Sequence, residues 1–144
     1  MSIRLARVLA LAALVFAPLA HADFYLIVQA ANPQPALTRK EAVDLYMGRT
    51  RAFPRGEVAK VYDLPRDSAR RDDFYQSLTG MGPAQVNSYW ARLMFSGRTM
   101  PPLSVADEAA MVQAVRQDPH ALGWVSRPPD DRQVRIVLVV KDAD

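Results

Sequence analysis

Residues 57–78 read EVAKVYDLPRDSARRDDFYQSL, and this stretch decides the fold. Apolar residues alternate over 58–62, as they do in a strand with one buried face. Leu64-Pro65 breaks the pattern, because proline drives the residue before it away from helix. A helix restarts beyond it, with Phe74 and Leu78 four apart on one face. A strand feeding a helix leaves backbone N–H groups unpaired at the helix N-terminus. Their partial positive charge favours an anion there. Asp67 or Ser68 can cap this helix, and Arg66, Arg70 and Arg71 crowd its start. Asp63, Asp67, Asp72 and Asp73 stand beside them, so the local charge is mixed. An ordinary capped helix explains the same residues.

On the C-terminal side, Gly80-Met81-Gly82 ends the helix and Pro83 suits the first turn of the next. Val86, Tyr89, Trp90, Leu93 and Met94 follow helical spacing, and Phe95-Ser96-Gly97 closes that helix. Thr99-Met100-Pro101-Pro102 is an extended crossing. Ser104-Val105-Ala106-Asp107 resembles a capping box and opens a further helix. That helix buries Ala109, Met111, Val112 and Val115 and ends before Asp118-Pro119. Residues 121–125, ALGWV, form a short strand, and 127–131 a polar turn. Residues 134–140, VRIVLVV, form the strongest strand of the chain.

On the N-terminal side, FYLIVQ at 24–29 reads as a buried strand, and Ala31-Asn32-Pro33-Gln34-Pro35 as a loop. Thr38-Arg39-Lys40-Glu41 has capping-box spacing, so a helix follows that buries Ala42, Leu45 and Tyr46. Gly48 stops it, with a positive φ. Residues 49–56 make a basic loop that closes in the turn Phe53-Pro54-Arg55-Gly56. The order is β-α-β-α-α-α-β-β, which argues for an α/β sandwich with crossover units. FYLIVQ and VRIVLVV are nearly all apolar, as strands covered on both faces are.

Residues 1–22 stand apart. Arg4 and Arg7 precede an apolar run, and Ala20-His21-Ala22 fits a small-x-small cleavage site, so 1–22 reads as a cleaved secretory signal. The mature chain is then one domain, 23–144, exported to the periplasm with no stable membrane anchor. Cleavage removes two arginines and no acid, so the charge of +3 falls to +1. That balance argues against nucleic acid as a partner. With no cysteine in the chain there is no disulfide, and stability rests on a packed core.

The residues also speak against an enzyme. His120 is the one histidine beyond the signal, and it follows Asp118-Pro119 as a helix terminator, so a Ser-His-Asp set has no base. Asp72 and Asp73 are adjacent and do not face each other on a helix. With Asp63 and Asp67 they show no calcium-loop spacing, so no metal or cofactor is expected. Trp90, Trp124, Tyr89 and Phe95 read as core residues.

Taken in order, these pieces resemble the periplasmic phosphate-binding proteins of ABC transporters, which have the type 2 periplasmic-binding-protein fold. The resemblance rests on Leu45-Tyr46-Met47-Gly48, Phe53-Pro54-x-Gly56 and Ser68-Ala69-Arg70-Arg71-x-x-Phe74. It extends through Tyr89-Trp90, Phe95-x-Gly97 and Pro101-Pro102 to Ala121-Leu122-Gly123-Trp124-Val125. It implies a three-layer α/β sandwich like one lobe of such a protein. It also implies that the helix start holds phosphate or a similar oxyanion through hydroxyls and amides. The residues at that position are Ser68, Arg70, Arg71, Asp67 and Arg66.

Two departures stand out. The family's Gly-Thr after the serine is Ala69-Arg70 here, which exchanges a hydroxyl for a guanidinium able to grip an oxyanion. The Gly/Ser-rich anion loop of the family's other lobe has no counterpart after 24–29, so half of the binding shell is missing. A homodimer with two helix starts face to face would restore it by symmetry. The expectation is an exported oxyanion-binding lobe, linked to an ABC permease or another periplasmic protein. The alternative is a protein-interaction or sensing module that reuses the fold without a small ligand.

Overall fold

The computed structural model describes residues 23–142. The signal reading falls on 1–22, outside them. Five strands form one sheet in the order β3-β2-β4-β1-β5. They are β1 (Phe24–Gln29), β2 (Lys60–Asp63), β3 (Leu103–Ser104), β4 (Ala121–Val125) and β5 (Val134–Val140). β2 pairs in parallel with β3 and β4, while β1 runs antiparallel to its neighbours β4 and β5. The C-terminal ends of β2, β3, β4 and β5 therefore lie along one edge of the sheet. The helices are α1 (Arg39–Tyr46), α2 (Ala69–Thr79), α3 (Pro83–Ser96) and α4 (Glu108–Gln117).

Two neighbouring residues of β4 assign the layers, since alternate side chains in a strand point to opposite faces. Trp124 stacks on Phe74 of α2 at 4.4 Å between ring centres. A Cβ on Gly123 would meet Met111 at 2.7 Å and Val115 at 3.0 Å, both on α4. So α4 covers one face and α2 the other, the three-layer α/β sandwich expected. The α2 side carries an aromatic cluster of Phe24, Tyr46, Phe74, Tyr75 and Trp124, packed mostly edge to face.

Local signals set the helix ends. Thr38 and Glu41 make the reciprocal capping box of α1. Gly48, at φ 68°, closes α1, with its N–H bonded to Leu45 and that of Arg49 to Asp44. Pro83 opens α3 and left-handed Gly80 ends α2. The Tyr89 hydroxyl donates to the Met47 carbonyl at 2.6 Å, which ties α3 to the end of α1.

Four expectations change. The second strand begins at Lys60, because Val58 forms only an isolated bridge with Ala52 and is 65% exposed. Ser104 opens no helix: it belongs to β3, and the cap of α4 is Asp107, whose carboxylate accepts from the Ala110 N–H at 2.8 Å. β5 is an edge strand with Ile136 and Val139 exposed, so only β1 and β4 are well covered. Phe95 is 97% exposed and Met94 is exposed too, so the end of α3 leaves the core.

Gly48→Ala should cost about 2–4 kcal/mol. A side chain pays about 1–2 kcal/mol for the left-handed conformation, and its Cβ would lie 2.8 Å from the Trp90 ring, which adds overpacking. Urea unfolding measures the loss, and an unchanged midpoint would contradict this account of the α1–α3 contact.

Candidate functional site

The strand-to-helix join that opens the sequence reading lies at the C-terminal edge of the sheet. In open α/β sheets, ligands bind in crevices at that edge. Two clefts meet there on either side of Leu64, of about 590 Å³ and 570 Å³. Both fall within the usual range for small-molecule sites.

Asp63, the last residue of β2 and 3% exposed, lines the first of them. Its Oδ2 accepts from Arg71 Nε at 2.9 Å and from the Tyr75 hydroxyl at 2.8 Å. Its Oδ1 accepts from the Leu64 N–H at 2.8 Å and Trp124 Nε1 at 3.1 Å. The Arg71 guanidinium also lies 4.9 Å from the centre of the Tyr75 ring. Burial would lower the pKa of Arg71, but Asp63 outweighs it and holds the value above the ordinary one. Burial, reinforced by Asp63, pushes the phenols of Tyr46 and Tyr75 well above their ordinary range.

Ser68 is the N-cap of α2, and its Oγ accepts from the Arg71 N–H at 3.2 Å. The N–H groups of Ala69 and Arg70 have no protein acceptor among the described residues. Arg70 turns toward the 570 Å³ cleft, where its guanidinium donates to Ser126 Oγ. Ser126 follows β4, and there it meets Glu108 from the first turn of α4. The Ser126 N–H donates to one Glu108 oxygen at 2.5 Å and its hydroxyl to the other at 2.8 Å. Arg70 Nε lies 3.5 Å from that second oxygen.

The five residues marked by the sequence therefore separate. Ser68 and Arg70 share the 570 Å³ cleft. Arg71 turns into the core, its charge balanced by Asp63. Arg66 is exposed in the wall of the 590 Å³ cleft, with no ion-pair partner among the described residues. Asp67 is exposed and lines neither cleft. Sequence reasoning missed Glu108 and Ser126, which lie 38 and 56 residues beyond Arg70. The one local signal was an acid in the first turn of a helix, which reads as a response to the helix dipole. Among the described residues, no cluster of His, Asp or Glu could hold a metal ion, and no helix is long and apolar enough to cross a membrane.

No protein-family profile and no curated protein sequence matches the chain. Solved structures do match: the fold is that of one lobe of the phosphate receptors of ABC transporters. An ABC-type phosphate transport receptor from Vibrio cholerae superimposes with a TM-score of 0.62 at 19% identity. The match covers 81% of this chain and 46% of the receptor. A substrate-binding protein assigned to a phosphate ABC transporter of Clostridium perfringens, solved with bound phosphate, gives 0.63 at 20% identity. That match covers 81% of this chain and 45% of the other. The chain thus spans less than half the length of either receptor, and at this identity the likeness is one of architecture.

Asp63→Asn should destabilise by about 3–5 kcal/mol in urea unfolding, because Arg71 would keep a buried charge with no counter-ion. A loss under about 1 kcal/mol would show the network to be dispensable. Alkali should act through the phenols. The pKa values of Tyr46 and Tyr75 are raised by folding. Their contribution is therefore complete below the unfolded value of about 10 and declines as pH rises beyond it. Phenolate absorbance should show two tyrosines that ionise only as the protein unfolds.

Proposed function

We propose that the protein binds an inorganic oxyanion, phosphate first, at the start of α2, and that it acts as an exported solute-binding lobe. The observation that carries this reading is the grip on Glu108. Arg70, the Ser126 N–H and the Ser126 hydroxyl already enclose one carboxylate beside the capped, open end of α2. The same donors, with Ser68 and the amides of Ala69 and Arg70, suit a tetrahedral anion. The receptors that share this fold are phosphate receptors. That likeness and the signal-like N-terminus support export through 1–22 and a link to ABC-type phosphate uptake.

In this reading Glu108 is the resident occupant, and phosphate must displace it. Both Arg70 and Glu108 are partly solvated, and such an ion pair contributes about 0–1 kcal/mol, but displacement also frees the Ser126 N–H and hydroxyl, which the incoming anion must engage in turn. The cleft at the start of α2 opens to solvent, so an anion there binds weakly and more weakly as salt rises. A second copy of the chain, or another periplasmic protein, would complete the shell.

Titration calorimetry with phosphate tests this. Arg70→Ala should lose about 1.5–3 kcal/mol, as for a charge-assisted hydrogen bond. Glu108→Gln, which removes the competing charge, should bind several-fold more tightly than wild type, by about 1 kcal/mol. Unchanged binding in both variants would put the anion elsewhere. No heat from phosphate in any of them would favour the interaction-module reading.

A further inference from the structure

The 590 Å³ cleft on the α3 side differs in kind from its neighbour. Its walls are mostly apolar, with Leu64, Trp90, Met94, Phe95, Pro101 and Pro102. Two arginines also line it. Arg71 is held by Asp63, but Arg66 is exposed and has no ion-pair partner among the described residues. No Asp or Glu occurs anywhere in 76–106, the stretch that supplies most of this wall. The one carboxylate lining the cleft, Asp63, already accepts four hydrogen bonds. The cleft is thus mostly apolar, with one cation, Arg66, unpaired among the described residues.

Trp90 belongs to the same wall: it is 5% exposed, and its Nε1–H, buried out of reach of solvent, has no hydrogen-bond partner among the described residues. Beside it Phe95 stands 97% exposed, at the rim rather than in the core.

We propose that this cleft binds a small organic anion with an apolar body, of the class of medium-chain carboxylates. The apolar body lies against Trp90, Met94 and Phe95. The anionic head meets Arg66. The size and concavity of the cleft favour a small molecule over a flat partner surface. This site is separate from the α2 anion site and does not depend on it: Arg66 and Trp90 do not line the Arg70 cleft.

The test uses anilinonaphthalene sulfonate as a fluorescent probe and decanoate as competitor. Wild-type protein should bind the probe saturably at one per chain, and decanoate should displace it while inorganic phosphate does not. Arg66→Gln should weaken decanoate binding by about tenfold or more, as for loss of a charged partner. Phe95→Ala should weaken it several-fold through lost apolar contact. Arg66 and Phe95 are exposed, so both variants should keep the wild-type circular dichroism. Phosphate heats should be unchanged in Arg66→Gln, which separates a failure here from a failure at α2. The proposal is overturned if wild type gives no saturable signal, or if Arg66→Gln and Phe95→Ala bind decanoate as wild type does. Sedimentation with phosphatidylglycerol vesicles, without binding of free decanoate, would overturn it in favour of a membrane surface.

Discussion

The carboxylate of Asp63 is the fixed point of the molecule. A buried charge is tolerable only where donors replace its water. Here both oxygens are fully engaged by two side chains of α2, one of β4 and the next backbone N–H. Those donors come from 61 residues of chain, so satisfying Asp63 fixes α2 against the end of β2 and against Trp124 at once. Such a pair stabilises little relative to an apolar alternative, but losing one partner is costly. Its effect is positional: the start of α2 cannot shift without leaving a charge unpaired.

That constraint also divides the edge of the sheet. Arg70 and Arg71 are neighbours in sequence, yet successive helix residues are about 100° apart around the axis. Because Arg71 must face Asp63, Arg70 must face away from it, toward Ser126 and Glu108. One arginine becomes structure and the other remains available to a ligand. Tyr75 lies one turn beyond Arg71 and so shares its face, which explains why its hydroxyl reaches the same carboxylate. The Ser68 cap contributes by holding the Arg71 N–H at the helix origin.

The local parts of this arrangement were legible in the sequence. Thr38 with Glu41, Gly48, Pro83 and Ser68 act through partners within a few residues, and each does what its spacing implies. The strand-to-helix join was legible for the same reason. The allocation of the arginines was not, since it depends on where a carboxylate on β2 meets a tryptophan from β4. Glu108 and Ser126 were invisible because the sheet order, not the sequence, makes them neighbours of Arg70. β3 escaped because two residues, one of them serine, carry no period. Phe95 and Met94 misled by continuing a helical apolar stripe past the point where the sheet can cover it.

The Glu108 contact bears on what kind of anion can enter. An oxyanion arriving between Arg70 and Ser126 meets a carboxylate already on the same donors, and two anions cannot share them without repulsion. The free energy of entry is thus the difference between two anions on one set of donors rather than the gain from filling an empty site. A ligand that adds only one carboxylate replaces like with like and gains almost nothing. A phosphate carries more charge and more acceptor oxygens, and can use the free amides of Ala69 and Arg70 that Glu108 leaves unbonded. In the proposed reading the resident carboxylate therefore acts as a filter, setting a threshold that polyvalent oxyanions pass and simple carboxylates do not. In the same reading a carboxylate with an apolar body is better served by the neighbouring cleft, where Arg66 has no ion-pair partner among the described residues.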